Sequence, residues 1–113
     1  MPEPRRTYHL APRARWEDWD PGTPYASPSL SDEGFIHCTD GIANMVATAN
    51  RFYRSDPGEF VVLTVDLERT GSPWRIDNPG KPFPHIYGTI AHEAVLAVQP
   101  FPREADGTFI AFG

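Results

Sequence analysis

Three of the four histidines sit in short strand-like segments: Tyr8-His9-Leu10, Gly34-Phe35-Ile36-His37-Cys38-Thr39 and Phe83-Pro84-His85-Ile86-Tyr87-Gly88. Imidazole changes charge near neutral pH, so it serves as general acid, general base or metal ligand. Successive side chains of a strand face opposite sides. His9, His37 and His85 are out of phase with the adjacent aliphatics Leu10, Ile36 and Ile86, whereas Phe35, Thr39 and Tyr87 share the histidine parity. The pattern predicts one face for a core and another for a polar, aromatic-lined cleft with the three imidazoles on it. His92, beside Glu93 in an expected turn or short helix, reads as surface. Cys38 adjoins His37, which invites a Cys–His nucleophile. Strand alternation points the two apart, and Cys38 reads as a small buried thiol.

Placing those histidines takes strands, and the chain offers several. Residues 7–10 predict a short first strand. Pro12 suits the first turn of a short helix over 13–20, with Trp16 and Trp19 on one face. Prolines and a glycine make 21–33 a loop, with a turn of helix at 29–33. A second strand is expected over 34–39, followed by Asp40 as helix N-cap. Ile42, Met45, Val46, Ala49, Phe52 and Tyr53 recur at helical spacing and predict the main helix over 41–54. The nearly continuous β-branched run 60–66 predicts a central strand buried on both sides. A turn at 67–71, a short strand at 74–76 and a loop at 77–82 follow. Further strands are expected at 85–90 and 94–99, then a turn at Ala105-Asp106-Gly107 and a terminal strand over 108–112. The sum is one small α+β domain over 1–113, mostly strands, with one main helix.

Composition narrows the function classes. The 113 residues suit a single modest core, and 40% hydrophobic content places the chain among globular proteins. No apolar run approaches the roughly 20 residues that span a bilayer. Met1-Pro2-Glu3-Pro4-Arg5-Arg6 has no apolar stretch behind it, which argues against a signal peptide and for a cytoplasmic setting. One cysteine allows no internal disulfide and no cysteine-rich zinc site. A net charge of −5 argues against a nucleic-acid partner, which needs a basic face. Arg5, Arg6, Arg13 and Arg15 form a small basic cluster that reads as solvated surface, as do Arg51 and Arg54 beside Tyr53. Thirteen prolines require a loop-rich fold. Neutral imidazoles also suit Zn²⁺, Ni²⁺ or Fe²⁺, but the close i, i+2 or i, i+4 histidine pairs of many metal sites are missing.

Together, Tyr8-His9-Leu10, Glu33-Gly34-Phe35-Ile36-His37-Cys38-Thr39 and Phe83-Pro84-His85-Ile86-Tyr87-Gly88 resemble the bacterial domain-of-unknown-function family 952, over nearly the whole chain. That resemblance implies the ADP-ribosyltransferase-like fold: two small, bent antiparallel sheets around a cleft, with the main helix on one side. It also implies a small-molecule ligand, NAD or a related nucleotide or phosphorylated compound, and, for an enzyme, an ADP-ribosyltransferase-like or phosphotransferase-like transferase. His9 would contact the ribose or amide. His37 and Thr39 would line the ring pocket, with Tyr53 and Tyr87 also toward the ligand. His37 and His85 would be the catalytic pair. His85 stands where the wider superfamily places a catalytic Glu, and histidine brings no fixed negative charge to that position. Two alternatives remain open: a non-catalytic ligand- or protein-binding module on the same fold, and a histidine-based metal-binding protein.

Overall fold

The computed structural model describes residues 3–112. Its centre is β3 (Phe60–Asp66), in which every residue is buried. Alternation along this strand feeds two cores. Val61, Leu63 and Val65 point into one, with Ala11, Ile36, Ile86 and Ile90. Phe60 and Val62 point into the other, with Met45, Ala49, Phe101, Phe109 and Phe112. A β-branched run covered on both faces is what a central strand requires.

β3 pairs antiparallel with β1 (Arg6–Pro12) on one side and with β6 (Val95–Pro100) on the other. A second antiparallel sheet has the order β2 (Ile36–His37), β5 (His85–Ile86), β4 (Trp74–Arg75). Each of these strands is two residues long, but the ladder runs on: Cys38 N–H donates to Pro84 O at 3.0 Å and Asp40 N–H to Pro82 O at 2.8 Å. Tyr8 and Thr39 then exchange backbone hydrogen bonds of 3.0 and 2.8 Å, which stitch β1 to the extension of β2. The α+β architecture with two small antiparallel sheets is therefore as expected.

The helices follow the predicted positions with shorter bounds. α1 (Arg13–Asp18) starts after Pro12 and ends two residues before the expected limit. Trp16 and Trp19 both meet Tyr25 edge-on, at 5.3 and 5.2 Å between centroids. α2 (Pro28–Glu33) has Pro at its start and closes on Gly34 at φ 89°, a left-handed cap. α3 (Ile42–Phe52) is the main helix. It buries Met45 and Ala49, whereas Ile42, Phe52 and Tyr53 at its ends are exposed.

Several expectations are corrected. Asp40 does not cap α3; its carboxylate takes a bidentate pair of hydrogen bonds from Arg5 at 2.8 and 3.0 Å, and Gly41 holds the N-cap position. The strand expected over 85–90 stops at Ile86; Tyr87 N–H still donates to Pro73 O at 2.7 Å, one step further along the register with β4. The terminal strand over 108–112 reduces to a single bridge between Arg103 and Phe109. Asn50 of α3 takes over that backbone instead: its amide donates to Phe109 O at 3.0 Å and its carbonyl accepts from Phe109 N–H at 2.7 Å. No helix among the described residues is long and apolar enough to cross a membrane.

Candidate functional site

The second sheet sorts its side chains by parity. Ile36 pairs with Ile86, and both are fully buried. One step along, His37 pairs with His85, with 5.5 Å between ring centroids. The inward row anchors the sheet on the core and the outward row presents two imidazoles. Phe35 lies between them, stacked on His85 at 4.1 Å and edge-on to His37 at 4.8 Å. Tyr87 completes the aromatic floor, 5.5 Å from Phe35.

Each imidazole is backed by a carboxylate. The left-handed turn at Gly34 brings the last residue of α2 back over β2, so His37 Nε2–H donates to Glu33 at 2.9 Å. His85 Nδ1–H donates to Asp77 Oδ2 at 2.8 Å. Asp77 also accepts from the Tyr87 hydroxyl, and its Oδ1 accepts from Arg75 Nε at 2.7 Å. Three donors on one carboxylate favour its charged form. The Tyr87 hydrogen bond first, then that of His85, pull the Asp77 pKa down to about 2. The Asp77 charge is therefore fixed across the working pH range, and it holds His85 with Nε2 outward. Glu33 likewise leaves His37 Nδ1 outward. A carboxylate that orients an imidazole in this way makes it an effective acid–base group.

The remaining sequence candidates lie elsewhere. His9 does not join the cleft. It is buried in the core, where its Nδ1–H donates to the backbone carbonyl of His37 at 2.7 Å. β1 is covered on both faces, Leu10 by the α3 core and His9 by the inter-sheet core, so parity relative to an aliphatic neighbour does not identify a solvent face there. Burial pushes the His9 pKa down to about 4, so the ring is neutral. Thr39 is buried at the junction with Tyr8. Tyr53 follows α3 and packs on Phe60 at 5.3 Å. Its hydroxyl pKa is raised by burial first, then by the negative charges of Glu33 and Asp56. Cys38 is buried and burial pushes its thiol pKa far up, so no thiolate stands beside the imidazoles.

Sequence reasoning missed Glu33 and Asp77 as working residues. A carboxylate four residues before His37 was a local signal for Glu33. Asp77 carried none, because only the pairing of β4 with β5 brings it to His85. Among the described residues no group of three or more His, Cys, Asp or Glu side chains could hold a metal ion. A cleft of about 570 Å³ does lie elsewhere, lined by Arg13, Arg54, Phe60 and Arg103. Its cations are engaged: Arg103 donates to the carbonyls of Gly58, Arg54 and Gly107, Arg54 pairs with Asp106, and Arg13 pairs with Glu17.

The fold is shared with solved structures of protein CC0527 from Caulobacter crescentus. A crystal structure of that protein is 26% identical, with 93% of each chain covered and a TM-score of 0.75. Its solution structure gives a TM-score of 0.68, with 90% of this chain and 89% of that one covered. No curated protein matches the chain. Residues 10–98 match the model of the family described as protein of unknown function DUF952, and the chain belongs to that family.

Proposed function

We propose that the outward face of the second sheet binds a small nucleotide-like ligand, of the NAD or ADP-ribose type, and that His37 and His85 move protons on it. Two carboxylate-backed imidazoles, 5.5 Å apart over an aromatic floor, carry this proposal. One ring would accept the proton of an attacking hydroxyl or water at its free nitrogen. The other would share a proton with a ribose hydroxyl of the ligand, since nicotinamide leaves NAD as a neutral ring and needs no proton. With Cys38 buried, the nucleophile would come from the ligand or from water, so the step would be a direct transfer. Phe35 and Tyr87 offer rings on which a base or nicotinamide could stack. On the ADP-ribosyltransferase-like reading His85 would stand where such enzymes carry Glu, and Asp77 is hydrogen-bonded behind it. That restores a fixed negative charge one hydrogen bond further back, which supports the ADP-ribosyltransferase-like reading.

The same substitution of His85 for Glu also favours a second reading, a ligand-binding module on this fold without turnover. Titration calorimetry with NAD and ADP-ribose, paired with an assay for released nicotinamide, separates the two. The proposal expects binding that is lost in the His37→Ala, His85→Ala double variant. Binding without nicotinamide release or transfer supports the module. No binding by the native protein, or equal binding by the double variant, rejects both.

A further inference from the structure

The register of the second sheet extends the histidine pair into a row of three. His37 lies opposite His85, and Arg75 lies opposite His85 from the other side. Adjacent strands are about 4.8 Å apart, so this row spans about 10 Å of one face. Behind it, Ile36, Ile86 and Trp74 form the inward row. The Arg75 guanidinium lies over the Tyr87 ring, 4.4 Å from its centroid. Its Nε is spent on Asp77 Oδ1 at 2.7 Å. The guanidinium also hydrogen-bonds the Tyr87 side chain, which with Asp77 raises its pKa, and the side chain is 69% exposed. An arginine fixed through Nε and held flat on an aromatic ring loses little freedom on binding. The outer N–H groups that Asp77 and Tyr87 do not take can donate to a phosphoryl group.

We infer that Arg75 is the anion-holding residue of this face and grips a phosphoryl group of the ligand. The phosphoryl end of the proposed nucleotide is thereby put at Arg75, with His85 and His37 lying successively further along the ligand. The inference rests on the proposed ligand-binding role of the histidine face. Lys81 and Arg5 do not compete for the role on this face: Arg5 is committed to Asp40, and Lys81 lies outside the row.

The test compares ADP-ribose with adenosine, which has no phosphate, on the native protein, Arg75→Gln, Arg75→Lys and the His37→Ala, His85→Ala double variant. Arg75→Gln is expected to weaken ADP-ribose binding about tenfold to a hundredfold while leaving adenosine binding unchanged, and Arg75→Lys to restore only part of the loss. Arg75 is exposed, so thermal unfolding of Arg75→Gln should match the native protein. Native-like ADP-ribose binding by Arg75→Gln, with binding lost in the histidine double variant, overturns the role of Arg75 and leaves the histidine face standing. Equal loss for adenosine and ADP-ribose also overturns it. If the native protein binds neither, inorganic pyrophosphate is titrated while the backbone amide resonances of residues 74–77 and 85–87 are followed. A saturable shift absent from Arg75→Gln supports the anion site without the nucleotide, and no shift at about 10 mM overturns it.

Discussion

His9 and His37 are joined by one hydrogen bond, yet their surroundings make them different groups. His37 has an exposed ring beside Glu33 and is available for proton transfer. His9 is in the core, neutral, with Nδ1–H on the His37 carbonyl and Nε2 without a partner among the described residues. Its role is to hold the strand that carries His37. That burial has a pH signature. In the folded chain His9 takes a proton only near pH 4, whereas in the unfolded chain it does so near its ordinary 6.5. Between those values the unfolded state binds more protons, so stability falls as pH falls through this window. The full effect is about 3 kcal/mol, from a shift worth about 1.4 kcal/mol per unit. Denaturant unfolding at pH 7 and pH 4.5 should show this loss in the native protein. His9→Gln, which keeps a donor for the His37 carbonyl, should show a difference between the two pH values smaller by about 2 kcal/mol. An unchanged difference would mean that His9 is not the responsible group. All three strand histidines were legible from the sequence as notable, but not which face each would take, because β1 turned out to have no solvent face.

At the scale of elements, turns do more positioning than strands. β2 and β5 are two residues each, and what aims Glu33 at His37 is the left-handed cap of α2. Gly34 sits there at φ 89° with nothing within 4 Å of where a Cβ would be. Its replacement by Ala costs only backbone strain, about 1 kcal/mol. Gly107, at φ 93°, differs: a Cβ there would lie 2.3 Å from Arg54 O, against backbone that cannot move aside alone. Gly107→Ala should therefore lower the melting temperature clearly more than Gly34→Ala. A smaller effect at Gly107 would show that the turn it forms can shift away from α3. The helix 41–54, the central strand 60–66 and the loop 77–82 were legible because each has a strong local pattern. The strand expected over 108–112 was not realised, since alternation there serves packing against Phe60 and Phe101 rather than a ladder.

In the whole molecule, two cores share β3, and each sheet depends on the other. The inter-sheet core sets the second sheet through Ile36 and Ile86, and the α3 core is closed by the C-terminal segment through Phe109 and Phe112. Asn50 is the clasp of that second core, because its amide pairs with both backbone groups of Phe109 as a strand would. Asn50→Ala would leave those two groups partly buried without partners, at about 2 kcal/mol or more. Hydrogen exchange should then show loss of protection concentrated at Phe109 and its neighbours, with the β2–β5 pairing retained. Uniform loss across both sheets would instead show that the two cores unfold as one unit.

Residue type and spacing alone determined the α+β class, the buried central strand, the main helix and the shared parity of Phe35 with His37 and of His85 with Tyr87. All of these follow from local periodicity, which a chain carries whether folded or not. Only the tertiary structure decided that His9 stays behind the face, that Glu33 and Asp77 back His37 and His85, and that Arg75 joins their row. Those facts depend on which strands pair and in what register. Asp77 lies eight residues from His85 and Arg75 ten, with the loop 77–82 between them, so no continuous period links them; hydrogen bonding between β4 and β5 brings both to His85.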